Sequence, residues 1–169
     1  MPIRFLVLFV LYILSKRDEH VTAAATETGL IATWLSSVLN ADTGAGGVHT
    51  LATGGIHEEI DPNGGSYPKV VFRFQGGSDY AALGAARRVY VNAVYAVYGV
   101  WQIPSYGGAL DTIAARLDTL LNGKQAAVAG GLVLACVRVA PLQIAGLKDG
   151  VSIRMSGGTF RIYSQLTPS

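Results

Sequence analysis

The sequence predicts an α+β fold, a mainly antiparallel sheet with two helices packed on one face. Two segments carry apolar residues at the helical 3.6 period, and several others alternate apolar and polar side chains at the period of a strand. Twenty-one glycines without a three-residue repeat mark frequent turns and exclude a collagen-like chain. The order of the patterns, helix, strands, helix, strands, suits helices gathered on one side of an antiparallel sheet.

At 169 residues the chain fits one domain, able to bury about 70% of its unfolded surface without staples. Half the residues are apolar and 14% charged, a balance that excludes disorder. Cys136 has no partner for an internal disulfide, and no glycosylation sequon occurs, so nothing demands an oxidising compartment.

Phe5 to Leu14 is an unbroken apolar run between Arg4 and Lys16-Arg17. As a helix it would be about 15 Å long, half a bilayer core, so it does not span a membrane alone. Its length fits a signal-peptide core, but Lys16-Arg17-Asp18-Glu19-His20 is too charged for an ordinary cleavage region. Three readings stand: an extension upstream of an internal start at Val21, a packing arm, or a signal or anchor. Residues 1–20 are set apart from a single domain over residues 21–169.

Within that domain, Ile31, Trp34, Leu35 and Val38 line one face of a helix over residues 27–39, with Thr26, Glu27 and Thr28 as candidate starts. The Gly/Asp-rich stretch Asn40 to Gly47 ends it. Val48 to Ala52 and Gly55 to Ile60 are expected as short strands, and Asp61-Pro62-Asn63-Gly64-Gly65 as a turn. Val70, Phe72 and Phe74 then alternate with Lys69, Val71 and Arg73 as a strand. Gln75 to Gly84 is expected as a connecting loop. Arg87 to Tyr98 is the longest alternating run, with Val89, Val91, Ala93, Tyr95 and Val97 on one face.

Leu110, Ile113, Ala114, Leu117, Leu120 and Leu121 hold the helical period for three turns, with Asp111 near the positive end and Gly123 as the stop. Leu132 to Val139 is expected as a strand closed by Pro141, with Val133, Ala135, Val137 and Val139 facing one way. Val151 to Ser156 and Thr159 to Gln165 are expected as a hairpin turned at Gly157-Gly158.

No catalytic constellation emerges. His57-Glu58-Glu59 lacks the second histidine that a zinc helix would place one turn on, because residues 60 and 61 are Ile and Asp. Gly44-Ala45-Gly46-Gly47 lacks the Lys-Ser/Thr of a phosphate loop and follows a helix instead of opening one. Cys136, set in a valine-rich strand, reads as a small core residue. The expectation is a non-enzymatic protein without cofactor or metal.

Charge is divided along the chain. Residues 21–86 carry two basic and six acidic side chains, and residues 87–169 carry eight basic and three acidic ones. Arg87-Arg88 is the densest basic stretch of the domain, too sparse for a nucleic-acid stripe. Interleaved solvated charge would explain the division, and so would complementary faces on neighbouring copies. On the second reading the candidate contacts are Glu58, Glu59 and Asp61 against Arg87, Arg88 and Arg116. Trp101 and Tyr106, aromatic residues near Pro104 and Gly107-Gly108, are the candidate aromatic anchors.

Three segments carry a resemblance: Ile56-His57 ahead of Tyr67-Pro68-Lys69-Val70-Val71-Phe72, the run Arg88 to Tyr95, and the closing Gly158-Thr159-Phe160-Arg161-Ile162-Tyr163. Across residues 27–165 their order resembles the tail-completion, or tail terminator, proteins of long-tailed bacteriophages. The resemblance rests on element order and not on a catalytic signature. It implies a structural virion protein of the tail–neck junction, assembled in the host cytoplasm, that caps the tail tube as a homo-oligomeric, hexameric ring. Its partners would be the tail tube protein and the head–neck proteins, with no nucleic-acid sequence read and no membrane. The apolar N-terminal run and the Gly-rich stretch at residues 43–55 depart from that pattern. Two alternatives remain: another neck or head-completion protein, or a small secreted or membrane-tethered binding domain, which the Phe5 to Leu14 run would suit.

Overall fold

A computed structural model describes residues 26–59, 66–81, 88–102, 108–148 and 150–167. The extension at 1–20, the turn at 61–65, Arg87 and Tyr106 lie outside them. The described chain is α+β, with a six-stranded, mostly antiparallel sheet. In chain order the elements are α1 (Glu27–Ala41), α2 (Val48–Leu51), β1 (Ile56–Glu58), β2 (Lys69–Ala81), β3 (Arg88–Gln102), α3 (Ala109–Leu121), β4 (Lys124–Val128), β5 (Gly131–Lys148) and β6 (Val151–Leu166). The strands lie side by side as β1-β2-β3-β6-β5-β4, and only β1 and β2 run parallel.

Both long helices form where the 3.6 period predicts them. Thr26 caps α1, its hydroxyl accepting from the Gly29 N–H at 3.1 Å. Gly123, at φ 75°, follows α3 in the left-handed conformation that ends a helix. Leu30, Ile31, Trp34, Leu35 and Leu39 of α1 and Ile113, Leu117 and Leu121 of α3 meet Phe72, Tyr95, Val97, Phe160 and Ile162 of the sheet in one core. The Tyr95 hydroxyl, beneath α1, donates to the Thr28 carbonyl at 3.2 Å. α3 comes so close to β3 that a Cβ on Gly99 would lie 2.8 Å from the Leu110 side chain.

Asp42, just after α1, determines the next turn. Its carboxylate accepts from the Val48 N–H at 2.7 Å and forms a two-point pair with Arg116 of α3, at 2.9 and 2.7 Å. Val48 to Ala52, expected as a strand, is therefore the short helix α2, because a side chain from outside the segment caps its first turn. The hydrogen bonds from Arg116, aided by Val48, hold the Asp42 carboxyl below its ordinary range against the opposing effect of burial. A carboxyl depressed on folding stabilises fully above its unfolded value, about pH 4. That contribution is lost as pH falls through the lower folded value. In urea unfolding, wild type is expected to exceed Asp42→Asn near neutrality, and the gap to narrow as pH falls below the unfolded value. A gap independent of pH would show that the carboxylate charge contributes nothing.

Several strands differ from the sequence reading. β2 continues through Gln75 to Ala81 where a loop was expected. A register shift between Phe74 and Gly76 accommodates the change, and Tyr80 stacks on Tyr90 of β3 at 4.7 Å. β5 passes through Pro141 to Lys148, with register shifts between Val133 and Ala135 and between Arg138 and Ala140. Each shift reverses the face of the following residues, so Val133 and Cys136 enter the core while Val137 and Val139 remain exposed. Gly157-Gly158 is not a turn. Both glycines lie inside β6, and the hairpin closes instead between register partners Lys148 and Val151, with Gly150 at φ 78°. β4 has too little alternation to be foreseen; it pairs with the first third of β5.

The sheet face away from the helices carries a second small cluster. Val71, Val100 and Ile153 are nearly buried there, with Tyr67, Tyr98 and Met155 around them. Lys69, only 3% exposed, places its ammonium 4.6 Å from the centre of the Tyr67 ring.

Candidate functional site

Sheet order turns the charge division of the sequence into a spatial one. β1 and β2 form one margin, and β5 and β4 form the other. The first margin bears Glu58, Glu59 and Asp79 together with Lys69 and Arg73, and the half of the sheet towards the second bears Lys124, Arg138, Lys148, Arg154 and Arg161 with no acidic residue in its strands. Glu58, Asp79, Lys124 and Arg161 are exposed. A basic half of the sheet opposite a margin of mixed but more acidic charge suits head-to-tail contact between identical copies, in which two different surfaces of one chain meet.

Local structure fixes the acidic margin. Glu59 follows β1 at φ 62°, a conformation unusual for a residue with a side chain. Its N–H donates to the Phe72 carbonyl at 2.9 Å, which continues the β1–β2 pairing by one residue. Its carboxylate accepts from the Phe74 N–H at 3.1 Å and lies 3.4 Å from the Arg73 guanidinium. Glu59 thereby caps the outer side of β2 beyond the last β1 pair. Nearby, the His57 ring N–H donates to the Gly54 carbonyl at 2.8 Å.

Among the candidates, the structure brings Glu58 and Glu59 together on the acidic margin. The Arg88 backbone begins β3 opposite Ala81 of β2, so it stands beside the acidic margin and not on the far one. Trp101 lies in β3 opposite Arg154 and is half-buried. Arg116 uses Nε and one terminal nitrogen on Asp42 of its own chain. Asp61, Arg87 and Tyr106 fall outside the described residues.

The sequence reading missed Asp79, Lys124 and Arg161. The signal lay in the charge totals of the two halves, but only the sheet order places Asp79 on the β2 side and Lys124 and Arg161 on the β6-β5-β4 side. Arg138 points to the helix side, 3.5 Å from Asp118 of α3, and donates to the Gly157 carbonyl at 3.1 Å.

Reactive chemistry is subdued in the described residues. No group of three His, Cys, Asp or Glu residues among them could hold a metal ion. Burial pushes the Cys136 thiol up to about 12, which keeps it protonated at neutral pH. Burial, with Glu58 and Glu59 adding to it, raises the Tyr95 hydroxyl to about 12. No described helix is long and apolar enough to cross a membrane. Comparison with protein-family models and with curated proteins gives no match.

Proposed function

We propose that the protein is a structural subunit of a phage tail–neck junction, a tail terminator that closes the tail tube as a homo-oligomeric ring. The observation that carries the reading is a sheet whose charge is uneven, basic over β6, β5 and β4 and more acidic at the β1–β2 margin, in a chain whose element order resembles that family. A rotation relating one margin to the next copy's opposite margin builds a ring when it closes. On this reading the partners are other copies, the tail tube protein and the head–neck proteins, and the work is done by surfaces, without catalysis or a cofactor.

Light scattering on the full chain tests it. One closed species of fixed mass, hexameric in the family it resembles, is expected at micromolar concentration. A monomer, or a polymer that lengthens with concentration, overturns the ring. Single exposed ion pairs contribute about 0–1 kcal/mol, so only grouped changes should matter. Lys124→Glu with Arg161→Glu should slow assembly, Glu58→Lys with Asp79→Lys in the same chain should partly restore it, and salt should weaken the wild-type rate. Equal assembly by all variants at all salt concentrations removes charge from the account.

A further inference from the structure

On its outer side β5 is only half covered. β4 pairs with β5 between Gly131 and Cys136, and the Arg138 N–H donates to the Asn122 side chain at 3.0 Å. From Val139 to Leu147 no described strand lies beside it. That run contains no charged residue, and Val139 is 46%, Ile144 51% and Leu147 75% exposed. A long, apolar, uncharged edge is a template for another strand, which soluble proteins ordinarily blunt with charge or cover.

The backbone groups that this run offers follow from its register. The Cys136 carbonyl accepts from the Gly123 N–H and the Arg138 N–H points to Asn122, so both residues turn away from β6. At the far end, the backbones of Lys148 and Val151 face each other across a two-residue turn. Alternation between these fixed points, across the register shift after Arg138, turns residues 141, 143, 145 and 147 outward. Pro141, with no N–H to offer, stands at one of those positions, as edge prolines do. The donors left without a partner among the described residues are the N–H groups of Gln143, Ala145 and Leu147.

We propose that this run pairs antiparallel with the same run of a second copy of this chain, about a two-fold axis through Ile144. The two ends of the run choose that axis. One end is blocked by Asn122 at Arg138, and the other stops at the hairpin turn after Lys148. With Ile144 opposite Ile144 of the second copy, the turn at Gly150 of each copy comes level with Arg138 of the other. Gln143 then faces Ala145, and the two exchange N–H to carbonyl bonds in both halves of the pair. The Leu147 N–H donates to the Pro141 carbonyl, so every outward N–H of the run is used. Moving the axis to Gln143 would push each turn against Cys136, which β4 has already covered. Moving it towards Leu147 only shortens the pair.

Side chains agree on both faces. Ile144, the register partner of Met155, lies at the rim of the small outer cluster and meets its own counterpart there. Leu142 crosses Gly146 of the second copy, where a Cβ would meet nothing within 4 Å, so the leucine has room. On the helix face Leu147, the most exposed large apolar side chain among the described residues, crosses Pro141. Self-pairing sets any charges of a strand near their like, and an uncharged run avoids that penalty. The two-fold axis stands perpendicular to the sheet, so both copies keep their helices on one face. With about nine residues a side, against the 20–30 of a standard interface, the pair is weak and reversible. The contact goes beyond the ring reading and does not need it, since two rings or two single chains can meet through it.

Disulfide trapping in the full chain tests the register. Cys136 is wholly buried and does not compete. In Ile144→Cys the two thiols face each other across a close pair without hydrogen bonds, about 4.5 Å between Cα atoms, within the span of a disulfide. Leu147→Cys places its thiols roughly 20 Å apart, although that position is the more exposed. Oxidation of concentrated protein should therefore yield covalent dimer at least about tenfold faster from Ile144→Cys than from Leu147→Cys. Adding Ala145→Pro removes an outward N–H and should bring the Ile144→Cys rate down to the Leu147→Cys rate. No cross-link through residue 144, or equal rates at 144 and 147, overturns the pairing. In the wild type, the Gln143 and Ala145 amides should exchange more slowly at high concentration than at low. Equal protection at every concentration overturns the second copy in favour of cover by another part of the same chain. Light scattering reads the ring separately. Cross-linking without a ring keeps this contact and removes the ring reading, and a ring without cross-linking does the reverse.

Discussion

Leu117→Ala is expected to destabilise the folded chain by about 2–5 kcal/mol, one of the largest effects of any single truncation here. Leu117 is wholly inaccessible to solvent on the buried stripe of α3, and it belongs to the cluster that joins both helices to β3 and β6. Truncation removes the transfer energy of the side chain and leaves a cavity. The close approach of α3 to Gly99 gives its neighbours little room to fill that cavity. Thr119→Ala, an exposed change on the same helix, should alter stability by no more than about 0.5 kcal/mol. Urea unfolding should be measured where the protein is monomeric, because assembly would add its own stabilisation. Loss below about 0.5 kcal/mol for Leu117→Ala would place that stripe outside the core.

What could be read from the sequence divides by the range of the interaction. α1 and α3 were legible because Leu35 or Leu117 repeats its environment every turn, and one helix face suffices to show it. β3 was legible for the same reason at period two. β5 was not, because the register shifts near Leu134 and Val139 reverse its faces midway, and no local rule announces them. Pro141 reads as a stop in the sequence. A proline can stay in a strand whose outer side lacks a partner, and only the sheet order reveals that side. α2 depended on a carboxylate outside the segment, Asp42, which is itself fixed by Arg116 on a distant helix.

The candidate site was half legible in the same sense. The acidic and basic halves of the chain were visible as counts, and Glu58 and Glu59 were candidate contacts from the acidic half, with no sheet margin assigned to them. Which basic residues stand opposite them was not visible. The Arg88 backbone faces Ala81 at the β2 end of β3, whereas Lys124 and Arg161 are brought across by strand pairing. Arg116 looked free because its partner is 74 residues away.

Gly157→Ala is expected to cost about 1–3 kcal/mol or more, the range of overpacked sites, although glycine-to-alanine changes in open extended chain usually help. The sequence suggested Gly157-Gly158 as a turn, and on that reading the position would be exposed. In the structure Gly157 is buried in β6 between Tyr98 of β3 and Leu142 of β5. A Cβ there would lie 2.2 Å from the Val97 carbonyl oxygen and 2.6 Å from the Tyr98 Cα. Both are backbone atoms, so a rotamer change cannot relieve the contact and strands β3 and β6 would have to move apart. Continuity through these glycines also puts Ile153 and Phe160 on opposite faces, one in the small outer cluster and the other in the main core. Gly146→Ala provides the comparison, because a Cβ at Gly146 meets nothing within 4 Å and its φ is not in the left-handed region. That variant should be neutral or gain about 0.4–1 kcal/mol through the unfolded chain. Equal stability of the two variants in monomeric urea unfolding would contradict the central placement of Gly157. A marked loss at Gly157 alone would fix β6 as one unbroken strand between β3 and β5.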